Sequence, residues 1–206
     1  MKRILMTFMV FIAGLSVILP DIKAQDKPRA STYQERVEQW HKDMAEFRAR
    51  SQQSHELHQL ADSLAGVQAV AAVRNQDFVL EATQVTFNNG MTTFVNSNTN
   101  FISVKGKRAV VQISPNNFAS GPNGLGGVTV DGMITEQQIA TDKKGRVTYS
   151  FNVMGVGINA QIQVYMTPGT NNASATIYPN FNSNTVWLEG NVVPYENSNV
   201  IQGSSL

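Results

Sequence analysis

The chain has three histidines, His41, His55 and His58, and no cysteine, so it offers no thiolate nucleophile and no soft metal ligand. His55-Glu56-Leu57-His58 shares residue types with the helical zinc motif of metalloproteases. That motif, however, needs its histidines four apart with glutamate beside the first. Here they stand three apart, and no carboxylate-rich segment follows to supply a third ligand, so the spacing reads as a solvated helix face. A Ser-His site in the second half of the chain would have to borrow its base from this segment, because no histidine follows His58. Asp77, Glu81, Asp131, Glu136 and Glu189 could in principle supply an acid/base pair, yet nothing in their spacing singles out two. No catalytic residue, metal ligand or cofactor site is therefore assigned. A hydrolase acting on envelope glycan or peptide stays as the alternative to a non-enzymatic binding or structural module.

Three further features invite a binding role. Gly121-Pro122-Asn123-Gly124-Leu125-Gly126-Gly127 has the glycine content of a phosphate loop, but a phosphate cradle needs a following helix. Val128-Thr129-Val130 follows instead and is strand-like, so a wide turn or a close backbone approach is expected. Lys105-Gly106-Lys107-Arg108 and Lys143-Lys144-Gly145-Arg146 hold all six positive charges after Arg74. Placed at one end of a barrel they could dock an anionic surface, although hairpin tips are ordinarily polar in any case. The surface residues of this region are otherwise mostly Asn, Thr, Ser and Gln, with Trp187, Tyr178 and Phe181 as rings on which a sugar could stack.

The elements that must position these residues are strands. Arg146 to Val153 alternates polar and apolar without an error, and so does Ile158 to Val164; each predicts a strand with one buried and one wetted face. Weaker runs lie at 78–87, 101–104, 108–113, 128–135, 137–141, 173–178 and 186–193, giving eight or nine short strands. Short turns such as Lys105-Gly106-Lys107 and Asp142-Lys143-Lys144-Gly145 join antiparallel neighbours, since parallel strands need long crossovers. An antiparallel meander closed or cupped into a barrel is the economical architecture, because closure removes exposed edges.

The alternation puts Val147, Tyr149, Phe151, Val153, Ile158, Ala160, Ile162, Val164 and Met166 on the inner face. Small Ala160 among bulky neighbours, with Gly132, Gly155 and Gly157 nearby, either tapers a solid core or leaves room for an apolar ligand beneath the 121–127 loop. The candidate ligand-binding residues are thus Tyr149, Phe151, Ala160 and Ile162, with Trp187 as a stacking ring.

Ahead of the strands, residues 31–74 are helical in pattern. Tyr33, Val37, Trp40, Met44 and Phe47 form one stripe; after a lapse at 50–54 a second begins in another phase at Leu57, Leu60, Leu64 and Val67. The phase shift predicts two helices or one kinked helix, with the stripe capping the β core. Earlier still, Lys2 and Arg3, the apolar run Ile4 to Leu19 and the exit Ile22-Lys23-Ala24 have the form of a signal peptide cleaved after Ala24. The apolar run is shorter than the ~20 residues a membrane span needs. Residues 1–24 are read as signal peptide, 25–74 as a helical segment and 75–206 as the β domain. The product would be periplasmic or extracellular, with no stable membrane span. Without residues 1–24 the formal charge of +1 falls to −1, which argues against a nucleic-acid partner. An apolar small molecule or envelope glycan is the expected partner class.

Several phrases resemble a known family. Asp77-Phe78-Val79-Leu80-Glu81-Ala82, Ser97-Asn98-Thr99-Asn100-Phe101, the 121–127 loop, Thr141-Asp142-Lys143-Lys144-Gly145 and Ser174-Ala175-Thr176-Ile177 are similar, in that order, to the Bacteroidetes family called domain of unknown function 4251. The resemblance covers about Ala65 to Leu206. It implies an envelope location and a compact β fold, lipocalin-like topology included, and no reaction. Relatives often begin as lipoproteins, whereas this chain lacks the cysteine that a lipid anchor requires.

Overall fold

The structure, a computed structural model, describes residues 32–115, 123–156, 159–180 and 184–205. Helix α1 (Tyr33–Arg74) is one continuous element of 42 residues, the single-helix form of the two that the shift of apolar phase allows. No glycine or proline falls between Tyr33 and Ala65, and the lapse at Ser51-Gln52-Gln53-Ser54 changes which face is apolar without breaking the backbone. A reciprocal capping box starts the helix. Thr32 Oγ1 accepts from the Glu35 amide (3.3 Å), and Glu35 Oε2 accepts from the Thr32 amide (2.8 Å). Gln76 stops it with a left-handed φ of 57°.

The compact unit that holds the barrel begins at Arg50, inside α1. Within it, the helix residues that become buried are not the leucine stripe. Gly66, Ala69, Ala72 and Val73 are buried and Val70 packs beside them, while Leu57, Leu60, Leu64 and Val67 stay exposed. Small side chains let the helix approach closely: a Cβ on Gly66 would stand 2.8 Å from the Thr170 backbone nitrogen. In the preceding unit Tyr33, Trp40 and Phe47 are likewise exposed. The Leu57 to Val67 stripe therefore does not cap the core as its pattern suggests.

Among the described residues nine strands follow: β1 (Asp77–Phe87), β2 (Thr92–Phe94), β3 (Phe101–Lys105), β4 (Arg108–Ile113), β5 (Val128–Thr141), β6 (Val147–Gly155), β7 (Asn159–Met166), β8 (Asn172–Pro179) and β9 (Val186–Pro194). All pairings are antiparallel, and β9 returns to β1 over almost its whole length, closing an eight-stranded barrel. The other edge of β1 is divided between β3 at 77–81 and the short β2 at 84–86. The two apolar runs at 128–135 and 137–141 are one strand. A bulge between Thr135 and Gln138, with Glu136 at φ 50°, inserts the extra residue that flips the phase. A second bulge in β1 between Ala82 and Gln84 faces Gly190, where a Cβ would lie 2.0 Å from the Glu81 carbonyl oxygen.

The core lies inside the barrel. Phe78, Leu80, Ile102, Val147, Tyr149, Phe151, Val153, Ile162, Val164, Met166, Ile177 and Leu188 form one buried cluster with Ala69, Ala72 and Val73 of α1. Every inward residue predicted on β6 and β7 is buried; Ile158 lies outside the described residues.

A second buried layer sits on the outside of the wall. After a 3-10 turn at Tyr195–Asn197 the C-terminal segment crosses the outer face, which covers residues that the barrel interior does not. Val79 and Phe101 are buried yet stand outside the interior cluster. The strap is tied by Ser198 Oγ to Glu81 Oε1 (2.6 Å), the Ile201 amide to the Asn98 carbonyl (2.8 Å) and the Ser204 amide to the Asn123 carbonyl (3.0 Å).

Candidate functional site

Four of the five predicted ligand-binding residues come together in the barrel. Tyr149, Phe151 and Ile162 are 0, 1 and 0 % exposed and Ala160 is 6 %. Tyr149 stacks on Phe151 with ring centroids 4.7 Å apart and meets Phe78 edge-on at 5.9 Å. Tyr149, Phe151 and Ile162 keep almost no exposed area, so no water-sized void opens beside these three side chains. They fill one another's space. The room expected at Gly132 is also taken, since a Cβ there would stand 2.3 Å from the Met154 carbonyl oxygen of the paired strand. Gly157 lies outside the described residues. Tyr149 donates from its hydroxyl to Gln137 Oε1 (3.0 Å), next to the β5 bulge, and burial pushes its pKa up to about 12.

Trp187 is elsewhere. It faces out from β9, opposite Thr176 of β8 on one side and Thr86 of β1 on the other, and is 40 % exposed. Thr176 is in turn opposite Gln163 of β7, and the neighbouring outward rows pair Tyr178 with Gln161 and Ser174 with Tyr165. Thr176, itself buried, thus forms the floor of an outer patch rimmed by three exposed rings: Trp187, Tyr178 and Tyr165. Tyr165 donates its hydroxyl to Gln163 Oε1. Residues 147–188 contain no Asp, Glu, Lys or Arg, so the patch is uncharged up to its edge at Glu189. Phe181, the third ring proposed for sugar stacking, lies outside the described residues.

Antiparallel connectivity puts the two basic turns at the same end of the barrel. Half of their cations are engaged locally. Arg108 pairs with Asp131 (2.9 Å), Arg146 with Asp142 (2.6 Å), and Lys105 Nζ sits 4.5 Å over the Tyr195 ring. The side-chain hydrogen bond from Arg146, helped by the backbone amides of Arg146 and Lys144, holds the Asp142 carboxyl below the usual carboxylate range.

The 121–127 loop is described from Asn123 onward, where it has a structural task. Gly127 passes so close to β4 that a Cβ would lie 1.9 Å from the Ile113 carbonyl oxygen. Asn123 Oδ1 accepts from the Leu125 and Gly127 amides, and its Nδ2 donates to Ser114 Oγ and Thr129 Oγ1. Thr129 Oγ1 donates a hydrogen bond to Gln112 Oε1 (2.8 Å), which also accepts from the Gly203 amide (2.7 Å). Gln112 Nε2 donates to the Thr99 and Ile201 carbonyls, so this 0 % exposed amide binds loop, strand and C-terminal strap together. Sequence reasoning assigned no role to Gln112 or the strap.

Among the described residues, three of the five candidate carboxylates are each engaged by a different partner. Asp131 is held by Arg108, Glu81 by Ser198 and Glu136 by Asn152. The histidines are spread along α1, and among the described residues no three His, Asp or Glu side chains are grouped to hold a metal.

The family described as Domain of unknown function (DUF4251) matches residues 62–192, from the last turns of α1 through β9 up to Val192. A solved structure of a DUF4251 family protein from Bacteroides eggerthii is 52% identical, covers 68% of this chain and 95% of its own, and superposes with a TM-score of 0.61. No curated protein matches the chain. With well over half of its length inside that match, the chain belongs to the DUF4251 family.

Proposed function

We propose that this chain is an exported protein of the cell envelope, cleaved after Ala24, that acts as a non-enzymatic binding or structural module through the outside of its barrel. The observation that carries the binding mode is the filled interior: Tyr149, Phe151 and Ile162 leave no space beside them for a ligand. A barrel of eight strands either packs solid or holds one small molecule, and these side chains favour the first. Export is supported by the basic residues, apolar run and small-residue exit of 1–24. Among the described residues no helix is long and apolar enough to cross a membrane.

An apolar fluorescent probe tests the binding mode. The folded protein should leave it unbound while being retained by envelope material in a sedimentation assay. Stoichiometric probe binding that Ala160→Trp abolishes without unfolding would place the ligand inside and overturn the reading.

A further inference from the structure

We propose that the outer patch around Thr176 is a binding site for an uncharged glycan, with Trp187 and Tyr178 as its stacking surfaces. This rests on the reading that the protein works through its outside.

The first argument is charge. Solvent-facing strands ordinarily carry Lys and Glu, which keep a sheet soluble and discourage association. Strands β6, β7 and β8 carry none; apart from Met154, their outward side chains bear hydroxyls, amides or rings, among them Thr148, Ser150, Gln161, Gln163 and two tyrosines. Such a wall offers no electrostatic attraction to an ionic ligand. What it offers are hydroxyls and amides, groups that both donate and accept, as a polyhydroxylated neutral molecule does.

The second argument is the disposition of the rings. Trp187 stands directly beside Thr176, one strand spacing of roughly 5 Å away, and Tyr178 lies two residues along β8, roughly 7 Å further on the same face. Tyr165 closes the opposite corner. Each ring is about two-fifths exposed, with Trp187 and Tyr178 at 40 % and Tyr165 at 41 %, so each is fixed against the wall and still open to solvent. Rigid amphipathic rings of this kind bind with little loss of conformational freedom. The apolar C–H face of a pyranose can rest on a ring while its hydroxyls reach Gln161 and Gln163. Because Gln163 Oε1 already accepts from Tyr165, its amide N–H groups remain to donate outward.

The test uses the full exported chain carrying Trp40→Phe, which leaves Trp187 as the single tryptophan reporter. Neutral gluco-, manno- and N-acetylglucosamine oligosaccharides are titrated by tryptophan emission at low and high salt. At least one should give a saturable, salt-independent change that Tyr178→Ala weakens about tenfold and Glu189→Gln leaves intact. No saturation with any of these probes, or an unchanged affinity in folded Tyr178→Ala, overturns the site. Binding of these neutral sugars that Glu189→Gln removes places the contact on the carboxylate at the edge of the patch instead of on the rings, and overturns the site as assigned. Retention on envelope material separates the two levels of the argument. If the wild-type protein is retained and Trp187→Ala/Tyr178→Ala is retained equally, the outer-surface reading stands and the glycan site falls; if the wild-type protein is not retained and no sugar responds, both fall.

Discussion

Replacing Phe151 by alanine should be among the most damaging single changes in the barrel. The ring is 1 % exposed, stacked on Tyr149 at 4.7 Å, and its β-carbon neighbour across β7 is Ile162, itself fully buried. Losing the ring removes roughly 100 Å² of buried apolar area, about 2.5 kcal/mol at 25 cal/mol per Å². The lost ring stacking adds about 1 kcal/mol. A cavity term follows, because hydrogen bonds run unbroken around the closed wall and hold its diameter, so neighbours cannot collapse inward. The total is about 4 kcal/mol, within the range for buried Phe→Ala. Thr148→Ala, three residues earlier on the outer face, should cost less than about 0.5 kcal/mol. Urea unfolding followed by circular dichroism, with unchanged m, measures both. Similar losses for the two variants would refute the assignment of faces on β6.

Gln112→Ala should cost about 2–4 kcal/mol, because it strands the Thr129 hydroxyl, the Gly203 amide and two carbonyls at once, and it should speed proteolysis within 198–205; an unchanged cleavage pattern would contradict the strap's dependence on that amide. The raised pKa of Tyr149, about 12 against 10.0, means that the folded state keeps its proton longer than the unfolded chain. Stability from this group is therefore complete below pH ~10 and is lost as pH rises toward ~12, a loss that Tyr149→Phe should remove in alkaline unfolding curves. Mass spectrometry of exported protein should find Gln25 or its cyclised form at the N-terminus; mature material that retains Met1 would refute cleavage.

Where one face of a strand meets the core and the other meets water, the sequence is readable. β6 and β7 follow from alternation alone, and β4 from Arg108 to Ile113 matches residue for residue. The reading weakens where a second structure covers the outer face. Phe78-Val79-Leu80 and Phe101-Ile102 are apolar on both faces, and those doubled residues were the visible trace of the strap. Gln112 left no trace, since a buried amide satisfied by an irregular segment has the same letter as a wetted one. β2 was missed because three residues carry no period. In α1 the pattern misled: leucines advertise a packing face, but close approach to a turn selects glycine and alanine instead. As for the candidate site, the uncharged strands were legible, whereas the placement of Trp187 opposite Thr176, away from Phe151, depends on register, which no single strand discloses.

The closure of β9 onto β1 fixes an order of events for the growing chain. Hairpins such as β6–β7 and β7–β8 join residues close in sequence and can form as soon as they emerge. β1 cannot complete its pairing until Pro194 arrives, so its long hydrogen-bonding edge stays open through the synthesis of everything between. During that interval the sheet is an unfinished ribbon with two sticky borders, the state in which β proteins associate wrongly. Residues 198–204 then tie onto β1, one of the strands that closed late, and onto β4. Folding is committed at the C-terminus, and a chain interrupted before residue 194 should be left open-edged and prone to aggregate.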